Sequence, residues 1–175
     1  MIIDKPLKLD NIQLMSMADT NISEQYISWM NNADITKYTE ARHREYSYQD
    51  LVSFVQTCNK EKSSLLLGIF YDDVHIGNIK ADFNREYQVA GVGLIIGDNS
   101  QHGKGIGTQA IGLMCEYLFH VLGIFKINAG IYASNTSSIK AFKRAGFHLE
   151  YVKQKHIINI SNEREDVLMM VKYAS

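Results

Sequence analysis

Apolar residues follow helical and strand periods in alternation along the chain. Leu7 to Met17 mixes apolar and polar positions at strand spacing and predicts a first strand. Ser23 to Asn31 carries Tyr26, Ile27, Trp29 and Met30 as a short helix that Asn31-Asn32 ends. Ser47 to Lys60 sets Leu51, Val52, Phe54 and Val55 at helical spacing, with Ser47 as cap and Asp50 in the acidic first turn. The middle of the chain changes to strands. Ser64 to Tyr71 and Val74 to Phe83 flank the turn Asp72-Asp73, and Tyr87 to Gly97, apolar on both faces, predicts a central strand. From Gly105 to Leu122 a stripe of Ile106, Ala110, Leu113, Met114, Tyr117 and Val121, widened by Ile111, Leu118 and Leu122, predicts a helix lying in a groove. Phe125 to Ala133 alternates as a strand; Asn135 then caps a short helix that ends at Ala145-Gly146. Phe147 to Ile158 and Asp166 to Tyr173 close the chain as two strands. The order β-α-α-β-β-β-α-β-α-β-β predicts a mixed α/β (α+β) fold with a mostly antiparallel sheet, because hairpins outnumber crossovers.

Composition narrows the class. The chain has 175 residues and a single proline, Pro6, with no linker or repeat, so one domain over 1–175 is expected. Hydrophobic residues make up 46% and charged ones 21%, which is enough to build a packed core. Lys and Arg number 18 against 19 Asp and Glu, so the chain lacks the electrostatic footprint of a nucleic-acid coat or a polybasic membrane anchor. Cys58 and Cys115 lie far apart with no C-x-x-C partner, which argues against a disulfide framework or a cysteine zinc site and for a reducing cytoplasm. Asp4 interrupts the N-terminus early, and the apolar runs Leu65–Tyr71 and Val89–Gly97 are too short to span a bilayer. No metal is expected, since His43 and His75 sit in no ligand pattern.

The segment Leu94 to Thr108 carries the chemistry. A central strand runs into a loop with Gly103, Gly105 and Gly107, which then opens the long helix. Glycines let a backbone approach a ligand closely, and the first helical amides have no internal partner. Together they make an anion cradle suited to phosphate or pyrophosphate. The P-loop pattern fails, because Gly97 to Gly103-Lys104 is one residue too long and Gly105 stands where Ser or Thr would hold magnesium. The dinucleotide fingerprint fails too, since Gly103-Lys104-Gly105-Ile106-Gly107 does not fit G-x-G-x-x-G. The remaining alternative is a glycine-rich structural turn.

His102-Gly103-Lys104-Gly105-Ile106-Gly107 resembles the acetyl-CoA motif of the GNAT acetyltransferase superfamily, [QR]-x-x-G-x-[GA], with His102 in the place of Arg or Gln. Asn135-Thr-Ser-Ser138, then Phe142, then Gly146-Phe147, is similar to the second coenzyme motif of that family. Trp29 to Arg42 resembles the branch of ribosomal-protein N-terminal acetyltransferases, a look shared by acetyltransferases of nucleotide-linked amino sugars. The resemblance implies a GNAT fold with about seven strands and about four helices. It implies acetyl-CoA as co-substrate, held by the main chain of Leu94, Ile95 and Ile96, by His102 to Thr108 around the pyrophosphate, and by Asn135, Ser138 and Phe142.

Three physical demands follow for an amine attacking a thioester directly: a neutral amine, a polarised carbonyl and a protonated leaving thiolate. The tyrosine that many relatives use as acid corresponds to Phe142, which leaves Ser138 as the catalytic candidate. The strand glutamate that some relatives use as base corresponds to Gly91; Asp82, Glu86, Glu40 and His120 are substitutes. A lysine-type amine is neutral only about one part in a thousand at pH 7, whereas an α-amine is roughly a tenth neutral, and an amino sugar belongs with the second group. A missing base therefore favours an amine of low pKa. The family's habit places Trp29, Tyr38, Glu40 and Arg42 on the acceptor side. The resulting expectation is acetyl transfer to a small primary amine, foremost a nucleotide-linked amino sugar. Protein N-termini, or a non-catalytic acyl-CoA-binding role, are the alternatives. The protein is expected to be a monomer or homodimer.

Overall fold

A computed structural model describes residues 1–174. Eight strands form one sheet in the order β1-β2-β3-β4-β5-β6-β8-β7. In chain order they are β1 Leu7–Leu9, β2 Ile12–Ser16, β3 Ser64–Tyr71, β4 Val74–Asn84, β5 Val89–Ile96, β6 Lys126–Tyr132, β7 His148–Ile158 and β8 Arg164–Tyr173. The α-helices are α1 Glu24–Met30, α2 Ala33–Thr36, α3 Tyr48–Lys60, α4 Ile106–His120 and α5 Thr136–Arg144. Every strand pair is antiparallel except β5 with β6, where α4 makes the crossover.

Two elements differ from the sequence expectation. The first strand is broken into a hairpin at Asp10-Asn11, where Asp10 takes a left-handed φ of 50° that a short polar side chain tolerates. Four-residue α2 was missed because so short a helix shows no period; Asn32 caps it by accepting from the Asp34 N–H at 2.9 Å. Asp72 and Asp73 both have positive φ, as a two-residue turn matching the strand twist requires.

Both faces of the sheet are covered. Leu65, Leu67 and Ile69 of β3 point into the larger core, against Ile106, Ala110, Ile111, Met114 and Leu118 of α4. Leu66 points the other way, onto Tyr26, Trp29, Leu51 and Val55 of α1 and α3. α4 is apolar enough to lie in the groove its pattern predicted, but it ends at His120 and leaves Val121 63% exposed. β5 departs from its expected two-sided burial. Ala90 and Val92 enter the larger core, while Gly91 and Gly93 on the opposite face are exposed, with open space where a Cβ would stand.

His75, at the start of β4, sits among Tyr26, Trp29 and Phe70, with ring centroids 5.1 to 5.5 Å away. Burial lowers its pKa below the ordinary 6.5, although the contact of its Nε2 with Asn78 Oδ1 at 3.0 Å opposes this. The unfolded chain thus binds a proton more readily than the folded one. Stability is complete above about pH 6.5 and falls as pH drops below it. Melting temperatures measured from pH 7.5 to 5 should decline, and the decline should shrink in His75→Phe; an unchanged slope in that variant would remove His75 as the cause.

Candidate active site

The site begins with a gap in the sheet. β5 and β6 pair in parallel only from Val89↔Lys126 to Gly91↔Asn128, and then separate. β4 continues along β5 to Gly77↔Ile96, so β5 keeps one partner and loses the other. The Gly97 N–H donates to Ile76 O at 2.8 Å. Alternation along the antiparallel ladder then turns the amides and carbonyls of Val92, Leu94 and Ile96 toward the gap, and those of Gly93 and Ile95 toward β4. Of the three expected strand residues, Leu94 and Ile96 present main chain to the gap. Ile95 instead pairs with Asn78 and packs its side chain against the smaller core.

The glycine loop closes the end of the gap. Gly103 and Gly105 take φ values of 79° and 83°, the left-handed region that favours glycine, and a Cβ at either would point into open space. Gly105 is the residue before α4, and the first helical bond runs from Gln109 N–H to Gly105 O at 3.1 Å. The amides of Ile106, Gly107 and Thr108 therefore precede the helical ladder and face outward with the positive end of the helix dipole. Thr108 anchors the helix start, its hydroxyl donating to Ala141 O of α5 at 3.5 Å. Lys104 reaches Gln101 Oε1 at 3.0 Å. The His102 ring turns back to Ile96 O, 3.0 Å away, so the side chain braces the loop on the last carbonyl of β5.

α5 forms the other bank. Asn135 caps it, Oδ1 accepting from Ser138 N–H and from the Ser137 hydroxyl, both at 3.1 Å, which leaves its amide nitrogen for a ligand. The Ser138 hydroxyl is half-buried and bonds to no other group among the described residues. Phe142 is placed differently from its expected coenzyme contact. It is 2% exposed and meets Phe147 edge-on at 5.0 Å in the larger core, so it positions α5 by packing.

On the opposite face of the sheet Tyr38, Glu40 and Arg42 come together around Tyr132, the last residue of β6. The Tyr132 hydroxyl donates to Glu40 Oε1 at 3.3 Å, and Tyr38 packs edge-on at 6.0 Å. Arg42 lies over the Tyr132 ring at 5.4 Å and donates to Lys37 O at 3.1 Å and Ile158 O at 2.7 Å. Burial pushes the Tyr132 phenol above its ordinary pKa, so it stays protonated at neutral pH. Glu165 of β8 stands beyond it. Burial is the largest single influence and would raise its carboxyl, but Ser134, whose N–H donates at 2.7 Å, together with Asn159 and the charge of Arg42 holds the pKa below the ordinary value.

Trp29 does not join this wall. It is buried in the smaller core, and a Cβ on Gly97 would collide with its ring, so it buttresses the end of β5. Sequence reasoning missed Tyr132 and Glu165. Tyr132 has the look of an ordinary strand residue, and its place three before Asn135 is the only local signal. Among the substitute bases, Asp82 lies directly across the ladder from Gly91 and pairs with Lys80 at 2.6 Å. His120 pairs with Glu116 at 3.1 Å at the far end of α4. No cluster of metal-ligating side chains occurs among the described residues, and no helix there is long and apolar enough to cross a membrane.

A strand pair that opens beside a glycine-rich helix start offers an extended ligand free main-chain groups along one side and unpaired helix amides at the end. Residues 14–148 match the family described as an acetyltransferase (GNAT) domain, and the chain belongs to that family. It is 37% identical over 70 residues to a probable N-acetyltransferase, YjcK, of Bacillus subtilis, a match covering 40% of this chain and 38% of that protein. It is 26% identical over 153 residues to the spermidine N(1)-acetyltransferase of Escherichia coli K12, covering 83% of this chain and 72% of the relative. Among solved structures, the microcin C7 self-immunity acetyltransferase MccE, in complex with acetyl-CoA and AMP, superposes with a TM-score of 0.82 at 24% identity. That match covers 95% of this chain and 94% of the other and bears on the fold.

Proposed function

We propose that the chain transfers an acetyl group from acetyl-CoA to the primary amine of a small acceptor, foremost a nucleotide-linked amino sugar, by direct attack in a ternary complex. The observation that carries the proposal is the separation of β5 from β6 after Gly91↔Asn128, with the amides of 106–108 at its end. The residues present fit the coenzyme. The Leu94 main chain and the Ile96 N–H, left without a partner strand, suit a pantetheine arm, and the outward amides with Gly103 and Gly105 suit a pyrophosphate. Acetyl-CoA supplies a thioester carbonyl for the amine to attack.

The chain's own groups meet the three demands unequally. A free N–H on the β5 side of the gap polarises the carbonyl. The unengaged hydroxyl of Ser138, on the first turn of α5, protonates the departing sulfur. Glu40, oriented by Tyr132, attracts the incoming amine and takes its proton. An exposed carboxylate is a weak base for a lysine-type amine but an adequate one for an amine that is already partly neutral. Tyr38 OH on Ser134 O, at 3.5 Å, and Arg42 on Ile158 O tie residues 37–42 onto the ends of β6 and β7. This roofs the acceptor side and favours a small acceptor over a protein N-terminus.

Free-thiol release from acetyl-CoA over a panel of amino sugars, polyamines and peptides tests the proposal. Turnover confined to peptides would replace the acceptor class, and coenzyme binding without turnover would make the chain a binding module. Ser138→Ala should lower kcat by roughly 10- to 100-fold while changing the KM for acetyl-CoA little. A full rate in that variant at saturating substrates would remove Ser138 as the acid.

A further inference from the structure

Beside the acceptor wall lies an open groove of about 700 Å³, bounded on one side by the 3-10 turn Glu40–His43 and on the other by the end of β7 at Ile158 to Ile160. We infer that this groove is the subsite for the remainder of the acceptor and takes a nucleoside phosphate group. The inference rests on the acetyl-transfer reading and deepens it.

Charge makes the first argument. Arg42, His43 and Arg44 line the groove against the single carboxylate Glu45. Arg42 binds carbonyls, and Arg44 lies over the Tyr46 ring at 4.3 Å; neither forms an ion pair with a carboxylate among the described residues. Glu165 near Arg42 and Asp50 near Arg44 act on them only at longer range, so both guanidinium groups keep N–H donors for an anion.

Donor geometry makes the second. A guanidinium has five N–H groups. Arg42 uses one at Nε toward His43 Nε2 at 3.2 Å, one at Nη1 toward Lys37 O and one at Nη2 toward Ile158 O. One N–H remains on each terminal nitrogen, on a side chain fixed at three points and stacked on Tyr132. The same His43 Nε2 lies 3.7 Å from Glu40 Oε2, so His43 links Arg42 to the carboxylate that faces the amine. Planar, prealigned N–H donors match phosphate oxygens.

Shape makes the third. Ile158 and Ile160 are 47% and 65% exposed on one wall, and Met30 lies on the other. An apolar slot beside a cationic rim suits a flat base attached to a phosphate. Arg42 joins the two regions, since it lines the groove and also covers Tyr132, whose hydroxyl holds Glu40. An acceptor placed this way lays its amine by Glu40 and its phosphate by Arg44.

Isothermal titration into the full chain saturated with CoA, which blocks the adenosine site of the coenzyme, tests the inference. The probes are UMP, AMP, inorganic phosphate and spermidine. At least one nucleotide should bind more tightly than inorganic phosphate, and spermidine should not displace it. The double variant His43→Ala/Arg44→Ala, both positions exposed, should weaken nucleotide binding by about tenfold or more. Its stabilisation by acetyl-CoA should be that of the unaltered chain. Failure of both nucleotides to bind, an affinity unchanged in the double variant, phosphate binding as tightly as nucleotide, or displacement by spermidine would each overturn the inference. Loss of acetyl-CoA stabilisation in the unaltered chain would instead overturn the coenzyme reading.

Discussion

Gly105→Val should abolish most acetyl-CoA binding while leaving the chain folded. The residue holds φ at 83°, where a β-branched side chain is a genuine outlier, and it sets the direction of the three free amides that follow. A Cβ there meets no neighbour, so the strain falls on the backbone of an exposed loop and not on the core. Tilting the loop removes two or three charge-assisted hydrogen bonds at about 1.5 kcal/mol or more each, which corresponds to a Kd roughly 100-fold higher or more. Acetyl-CoA at about a hundred times its Kd stabilises the unaltered chain by about 2.7 kcal/mol, a rise in Tm of roughly 5–10 °C. The variant at the same concentration should show a rise of about 1 °C or less. Gly112→Ala, on α4 with open space at its Cβ, serves as a control that keeps the full rise. An equal rise in Gly105→Val would show that the loop does not hold the coenzyme.

The second large effect is on stability. Gly77 of β4 faces Ile96 across the ladder, and a Cβ there would run into the carbonyl oxygen of Ile95 and press on the Ile96 Cα. Neither obstacle is the flexible end of a side chain. Gly77→Ala should therefore displace the end of β5 and destabilise the fold by about 3 kcal/mol, lowering Tm by roughly 6–12 °C. Because that stretch of β5 supplies the main chain of Leu94 and Ile96, the KM for acetyl-CoA should rise as well. Gly91→Ala, where nothing lies within reach of the new methyl group, should change Tm by about 1 °C or less. A Gly77→Ala protein melting with the unaltered chain would mean that β4 and β5 are looser than their register indicates.

The two segments proposed to hold the coenzyme were legible in sequence because their geometry is local. A glycine loop before an apolar helix, and Asn135 capping the helix that carries Ser138, each depend on neighbours a few residues apart. Phe142 was misplaced for the opposite reason. Its motif position suggests a ligand contact, but its burial follows from Phe147, which only the turn at Gly146 brings onto it. Trp29 likewise looked like an acceptor residue, and packing against Gly97 made it a brace. β5 seemed apolar on both faces because glycine carries no polar signal, yet Gly91 and Gly93 leave that face bare.

The amino-acid sequence by itself determined the glycine loop before the long helix and the order of the elements apart from the β1–β2 break and α2, since turns, caps and periodicity act over one or two helical turns. It also placed the long helix in the groove. Tertiary structure alone brought Tyr38, Glu40 and Arg42 together around Tyr132, the wall proposed to face the acceptor. Glu40 and Tyr132 are 92 residues apart, and Arg42 and Ile158 are 116 apart. Contacts of that separation leave no period in the chain, and they exist only because the sheet sets the end of β6 beside the turn after α2.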